Sequence, residues 1–316
     1  MTINLKLTLL TFSFFLFSCN GSVGNDNIPQ VKSSVYNNEI GNLCWPTQLT
    51  KEGGRFIITD YKNNRFLIKD GTSWKSSSIG IHGAHSLAMD NNGNFVIDDT
   101  ENNRIIITKH IDKPSNEEYI YSVNGKALNR PHAVEVSGNG YIYVIDSLRL
   151  IRISSDYKKI DELWFKAGDL GYARSLKIID GILYVINSSS GNLIKITDFD
   201  KGDYKIISTS SHKINDGAGS YERTGPIIND VEKFNGWFYA SNYFTSSWAK
   251  GTDAEKNKLI RWKTWDDFES GNFQDLSQLL PTGQLPYFMK NINGELLITT
   301  FNHENPCHNE SALILE

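Results

Sequence analysis

Apolar residues alternate with polar ones, or run in short apolar blocks, along most of the chain, and this pattern recurs. The clearest copy runs from His85 to Asp99. It predicts a strand, a turn over Asp90–Asn94, and a second strand from Phe95. Further copies are Thr47–Asp60, His132–Asp146, Arg174–Asn187, Asn229–Asn242 and Tyr287–Thr300. Most are followed by a polar loop and a third strand, as at Asn64–Ile68, Asn103–Ile107 and Asn192–Ile196. Helical periodicity is absent throughout, and Gly- or Asn-rich turns separate the strands. The Asp90–Asn94 stretch reads as a hairpin turn rather than a calcium loop. Asp99, Asp146, Asn187 and Asn242 close second strands and are expected to bond turn backbone.

A unit of about 40–50 residues with three or four strands is a propeller blade. Six copies predict an all-β, six-bladed β-propeller over residues 34–316. The ring must be fastened, or a sheet edge stays open. The sixth copy supplies Glu295–Phe301 and Ser311–Leu315, and then the chain stops. Residues 32–40 are predicted to add the missing outer strand. The Asp-Xaa-Xaa-Asn-Asn-Arg pattern at Asp60–Phe66 and Asp99–Ile105 resembles the NHL-repeat family. That resemblance implies the architecture and says little of function.

The composition agrees with a packed β domain: 39% hydrophobic and 12% aromatic residues, with 25 Gly and 8 Pro. The net charge of −4 excludes a basic nucleic-acid footprint. At the N-terminus, Lys6 precedes an apolar run from Leu7 to Phe17, too short to span a bilayer and suited to a secretory signal. It ends Leu16-Phe17-Ser18-Cys19, which resembles the lipobox of bacterial lipoproteins. The resemblance implies removal of residues 1–18, acylation of Cys19 and a lipid anchor in the cell envelope. Asn20, not Asp, implies the outer membrane. A plain signal peptide with an incidental Cys19 is the alternative. Residues 19–33 are small and polar and read as a flexible tether. The lipid is then the one membrane contact, and a monomer is expected.

Cys44 and Cys307 remain, and export favours a disulfide between them over two free thiols or a two-Cys metal site. In a propeller, Cys44 leads into the first inner strand and Cys307 lies in a loop on the same face of the last blade. The topology thus predicts a Cys44–Cys307 ring clasp.

Chemistry is expected at the channel mouth, on the face where inner strands begin. The repeats place Thr47, His85, His132, Arg174, Asn229 and Tyr287 there, with Gln48, Ser86, Ala133, Ser175, Asp230 and Phe288 next to them. His85, His132, Arg174 and Tyr287 are the candidate catalytic residues. A divalent metal, zinc or calcium, could sit on His85 and His132, with oxygen from Asn229, Asp230 or Tyr287. Peptidyl-amidoglycolate lyase propellers, a distant resemblance, imply zinc on histidines at these positions. Gluconolactonase and paraoxonase propellers imply calcium, but their Glu position here reads Thr47 or Gln48. Without metal, a neutral His or Tyr287 would move a proton while Arg174 meets a substrate carboxylate. Two insertions, 210–227 and 243–256, add Glu222, Arg223, Tyr243 and Trp248 as candidate ligand-binding residues. The expected function is a lyase or lactonase acting on an anionic sugar, lactone or peptide. The alternative is a non-catalytic envelope protein that binds a glycan or protein partner.

Overall fold

The computed structural model describes residues 27–189, 191–208, 213–215, 222–224, 226–242, 256–302 and 304–316. Over these residues the chain closes six four-stranded antiparallel sheets into the expected propeller. Blade one holds Pro46–Glu52, Arg55–Asp60, Arg65–Asp70 and Ser73–Ser76, from the channel outward. Blades two to five begin with inner strands Leu87–Met89, Pro131–Val136, Ala173–Ile179 and Ile228–Phe234. Blade six takes Gln284–Ile292, Glu295–Asn302 and Ser311–Leu315 from the C-terminus.

Its fourth strand comes from the other end of the chain. Val31–Ser34 pairs antiparallel with Ser311–Leu315, with Val31 opposite Leu315 and Ser34 opposite Leu313. This strand lies earlier than the predicted 32–40 and begins inside the stretch read as tether. Beyond Ser34 the pairing closes with Val35 N donating to Ala312 O at 2.8 Å. Tyr36 then turns into the core, its ring edge-on to Trp74 of blade one at 5.3 Å and its hydroxyl donating to Gly41 O. The Cys44–Cys307 disulfide joins the first blade to the last across 263 residues, as the topology predicts.

Apolar side chains from facing sheets fill the space between blades. Ile57, Phe66, Leu87, Phe95, Ile97 and Ile106 form one such layer between blades one and two. Each fully buried residue of this kind contributes about 1.5–3 kcal/mol. Among the described residues one short α-helix, Trp265–Ser270, departs from the all-strand reading. Thr264 and Asp267 cap it reciprocally, Thr264 N donating to Asp267 Oδ2 at 2.9 Å and Asp267 N to Thr264 Oγ1 at 3.1 Å. Under two turns long, it leaves no periodic trace in the sequence. At the Asp90 turn, Oδ1 accepts from Asn92 N and Asn94 N, which confirms the hairpin reading.

The repeated Asp and Asn residues position the mouth. Asp60 accepts from Cys44 N at 2.7 Å, Asp99 from His82 N at 2.6 Å and Asp146 from Asn129 N at 2.7 Å. Asn187 and Asn242 accept likewise from Gly171 N and Ile227 N. Each closing residue therefore pins the turn that leads into its own inner strand. Asn64 and Asn103 then take left-handed backbone, with φ of 53° and 51°. Their Oδ1 atoms accept from Gly83 N and Arg130 N of the following blade. The Asp-Xaa-Xaa-Asn-Asn-Arg motif is thus a pair of clamps, one within a blade and one between blades.

Candidate functional site at the channel mouth

Five of the six inner strands carry a β-bulge at the position aligned in the repeats. The register slips at Thr47, His132, Arg174 and Asn229, and across Tyr287 and Phe288 in blade six. A bulge leaves its extra residue out of the ladder and re-aims its side chain. In blade two, His85 just precedes the strand, and its N donates to Asp98 Oδ1 at 2.6 Å. Burial pushes the Asp98 carboxyl up to about 8, against three hydrogen bonds from His85 and Ser86.

These positions enclose a cavity of about 160 Å³. His85, Arg174, Tyr287 and Thr47 line it, as expected. His132 lies against His85, ring centres 3.8 Å apart and planes at 41°. Arg174 Nη1 donates to Tyr287 Oη at 3.1 Å. Asn229 is fully buried beside them, its Nδ2 donating to Tyr287 O at 3.5 Å. The sequence therefore brought His85, His132, Arg174, Asn229 and Tyr287 to one place.

The histidine tautomer at His85 follows from its neighbours. Its Nδ1 stands 3.0 Å from Thr100 Oγ1, and that hydroxyl donates to Pro131 O at 2.6 Å. Thr100 must accept from Nδ1–H, which leaves Nε2 with the lone pair. Burial, then the charges of Arg174 and Arg130, hold His85 neutral, its pKa well below the usual histidine value. Burial, then His85 and the same two arginines, do likewise for His132.

Six lining residues were not singled out from sequence: Trp45, Pro46, Tyr61, Arg130, Tyr172 and Phe301. Trp45, Arg130 and Tyr172 each stand two residues before a ring residue, so alignment of that column would have found them. Trp45 and Arg130 adopt φ of 51° and 56°, a backbone uncommon for bulky side chains, and Gly83 takes 60° at the same repeat position. Arg130 makes a two-pronged pair with Glu101, which also accepts from Tyr61 Oη at 2.9 Å. Burial and Glu101 push Tyr61 up to about 12. The Tyr61 ring lies 4.4 Å from that of His85, and Tyr172 Oη lies 3.3 Å from His132 Nε2.

The structure commits Asp230 elsewhere. It accepts from Ser175 Oγ and from Met289 N, and it pairs with Lys177 at 3.0 Å. A buried lysine held between Asp230 and Glu232 plugs the channel below the mouth. Asp230 thus serves the ring rather than a ligand, because Lys177 reaches it from the adjacent inner strand. Glu222 and Arg223 fall on a strand, Glu222–Thr224, paired with Lys213–Asn215; only their backbone is described. Tyr243 and Trp248 lie outside the described residues.

A divalent metal is not well served here. The cavity lining carries two guanidiniums and no carboxylate, and among the described residues no cluster of three His, Cys, Asp or Glu side chains forms. For calcium, Asp230 already faces a lysine, and Gln48 Oε1 accepts from Leu87 N at 2.9 Å. The donors that remain suit an anion.

No family profile and no curated protein sequence matches the chain. Solved structures do match in fold. A putative gluconolactonase aligns at TM-score 0.61 and 12% identity, covering 90% of this chain and 91% of its own. A streptogramin B lyase aligns at TM-score 0.58 and 14% identity, covering 85% and 83%. A catalytically inactive His-to-Ala variant of virginiamycin B lyase from Staphylococcus aureus, solved with quinupristin, aligns at TM-score 0.56 and 16% identity, covering 86% and 88%. At these identities the likeness is one of fold: the chain is a six-bladed β-propeller similar to lyase and gluconolactonase-type propellers.

Proposed function

We propose that this protein is a lyase that acts at the channel mouth on a substrate bearing a carboxylate. One observation carries the reading: a neutral histidine, fixed in one tautomer, shares an enclosed cavity with an arginine–tyrosine pair. The substrate carboxylate meets Arg174, with Arg130 adding positive charge. His85 Nε2 takes the proton from the carbon next to that carboxylate. The electron pair forms the new double bond as the bond to the leaving oxygen breaks. Tyr287, whose oxygen already accepts from Arg174, gives its proton to that oxygen. The proton on His85 then returns to the tyrosine through solvent, so no water, oxidant or reductant is consumed.

His85 is a weak base in the free site because two cations face it. Binding of an anion offsets that field and raises its basicity when substrate is present. The propeller neighbours named for lyases, one of them inactivated by loss of a histidine, support this direction. An exported, envelope-anchored location is supported by the lipobox resemblance at Cys19. Incorporation of labelled palmitate, lost on Cys19→Ala, tests it.

The reaction is tested by mass spectrometry on uronate-containing oligosaccharides, with aldonolactones and cyclic depsipeptides, which lack the free carboxylate, as comparison substrates. A lyase gives products whose masses add up to that of the substrate. Products that together gain one water would make it a hydrolase. Turnover unchanged in His85→Ala would overturn the assignment of the base.

A further inference from the structure

Among the described residues, the exposed large apolar side chains concentrate between residues 119 and 172. Tyr119, Tyr121, Trp164 and Tyr172 are 43%, 54%, 51% and 38% exposed. Strand register puts them all at the mouth face. Trp164 pairs with Arg149, the first residue of the third strand in blade three, just past the mouth-side turn at Asp146. Tyr121 follows the outer strand Glu118–Ile120 of blade two, whose Ile120 pairs with Ile105 at the same end.

Three of these rings are built alike. Each is backed by a cation: Arg104 lies 4.4 Å from the Tyr119 ring, Lys126 4.4 Å from Trp164, and Arg174 4.9 Å from Tyr172. Polar bonds fix the edges. Arg104 Nη1 donates to Tyr121 Oη, Trp164 Nε1 donates to Glu162 at 2.7 Å, and Tyr172 Oη meets His132. The rings are also linked to one another. The hairpin Ser122–Val123 with Lys126–Ala127 carries the chain from Tyr121 to Lys126, over Trp164. Arg149 and Ser147 then bond Ala127 O and Asn129 O, and Arg130 follows in the mouth. Rings held rigid at the surface, with one face outward, are not a solubility solution; such patches mark binding.

We propose that Tyr121, Trp164 and Tyr172 form a track of stacking platforms for an acidic oligosaccharide, whose end enters the mouth. The proposal rests on the mouth being an anion site and names the substrate class for it. Flat rings with polar rims match the apolar faces of pyranose rings, and Lys126 beside Trp164 and Arg174 beside Tyr172 match uronate carboxylates.

The test is affinity electrophoresis of the full chain through gels containing polygalacturonate, alginate or hyaluronan. Dextran serves as neutral polymer and single-stranded DNA as a second polyanion. We expect retardation by at least one acidic glycan and by neither control. A Tyr121→Ala/Trp164→Ala variant should bind at least about tenfold more weakly, while Trp164→Phe keeps most of the affinity. The His85→Ala chain should be retarded as wild type, which separates the track from the chemistry. Retardation by DNA, none by any acidic glycan, or none of it lost in the double variant would each overturn the proposal.

Discussion

Thr100 Oγ1 sits between His85 Nδ1 and the Pro131 carbonyl, at 3.0 Å from the first and 2.6 Å from the second. A hydroxyl with its proton committed to one partner can only accept from the other. Blade two therefore sets the tautomer of His85 through a residue whose own bond reaches blade three. Replacing Thr100 by Val removes that control without touching the imidazole. We expect kcat to fall about tenfold or more, KM to change little, and Thr100→Ser to recover most of the rate; loss of the base itself costs about 10²–10⁴. Ring nitrogen NMR shifts of His85 should show a mixed tautomer in Thr100→Val. A single Nδ1–H tautomer there would show that Thr100 is not the determinant.

Glu310 ties the mouth to the clasp, and its titration has a definite sign. Its carboxylate accepts from Trp45 N, Cys307 N at 2.9 Å and Asn302 N at 3.3 Å. Burial pushes it up to about 7, against those three bonds. Because the folded value lies above the unfolded one, the folded state holds the proton more tightly. Its contribution is greatest below the ordinary glutamate range and is lost as pH rises to about 7. Denaturant unfolding of wild type and Glu310→Gln at pH 5 and 8 should show wild type losing stability relative to the variant at the higher pH. Parallel curves would refute the shift.

Gly83 is required by its surroundings. At its φ of 60°, a Cβ would stand 2.3 Å from Glu101 Cγ and 2.9 Å from the Tyr61 ring. Both neighbours belong to the clamp that holds Arg130. Gly83→Ala should cost about 1–3 kcal/mol and weaken carboxylate binding, through overpacking and backbone strain together. Thermal denaturation and calorimetric titration with galacturonate check this; an unchanged affinity would mean the clamp yields without moving Arg130.

The mouth should behave as an anion site rather than a cation site. Elemental mass spectrometry of the purified chain should show no zinc, manganese or calcium that tracks with the histidine pair. Near-stoichiometric metal that disappears in His85→Ala/His132→Ala would reverse that view. NMR titration should also show His85 protonating well below the usual histidine range, and moving upward when galacturonate is added.

The ring of mouth residues was legible because it recurs at one column of a repeat whose strands announce themselves by alternation. Cys44 and Cys307 were legible because a ring has only one place where its ends meet. What stayed hidden depends on conformation. Trp45 and Arg130 reach the mouth through a left-handed backbone that nothing in their residue type announces. Asp230 was misplaced because its partner, Lys177, comes from another blade and is adjacent only after closure. Thr100 looks like loop polarity until the Pro131 carbonyl is brought to it.

The borrowed strand in blade six has a consequence for orientation. Leu315 pairs with Leu296, at the end of the blade remote from the mouth, and Val31 lies opposite Leu315. Asn27, whose carbonyl accepts from Arg261 of blade five, lies beyond that point. Residues 27–31 therefore lie on the underside of the ring, so the first described residues and the candidate site occupy opposite faces.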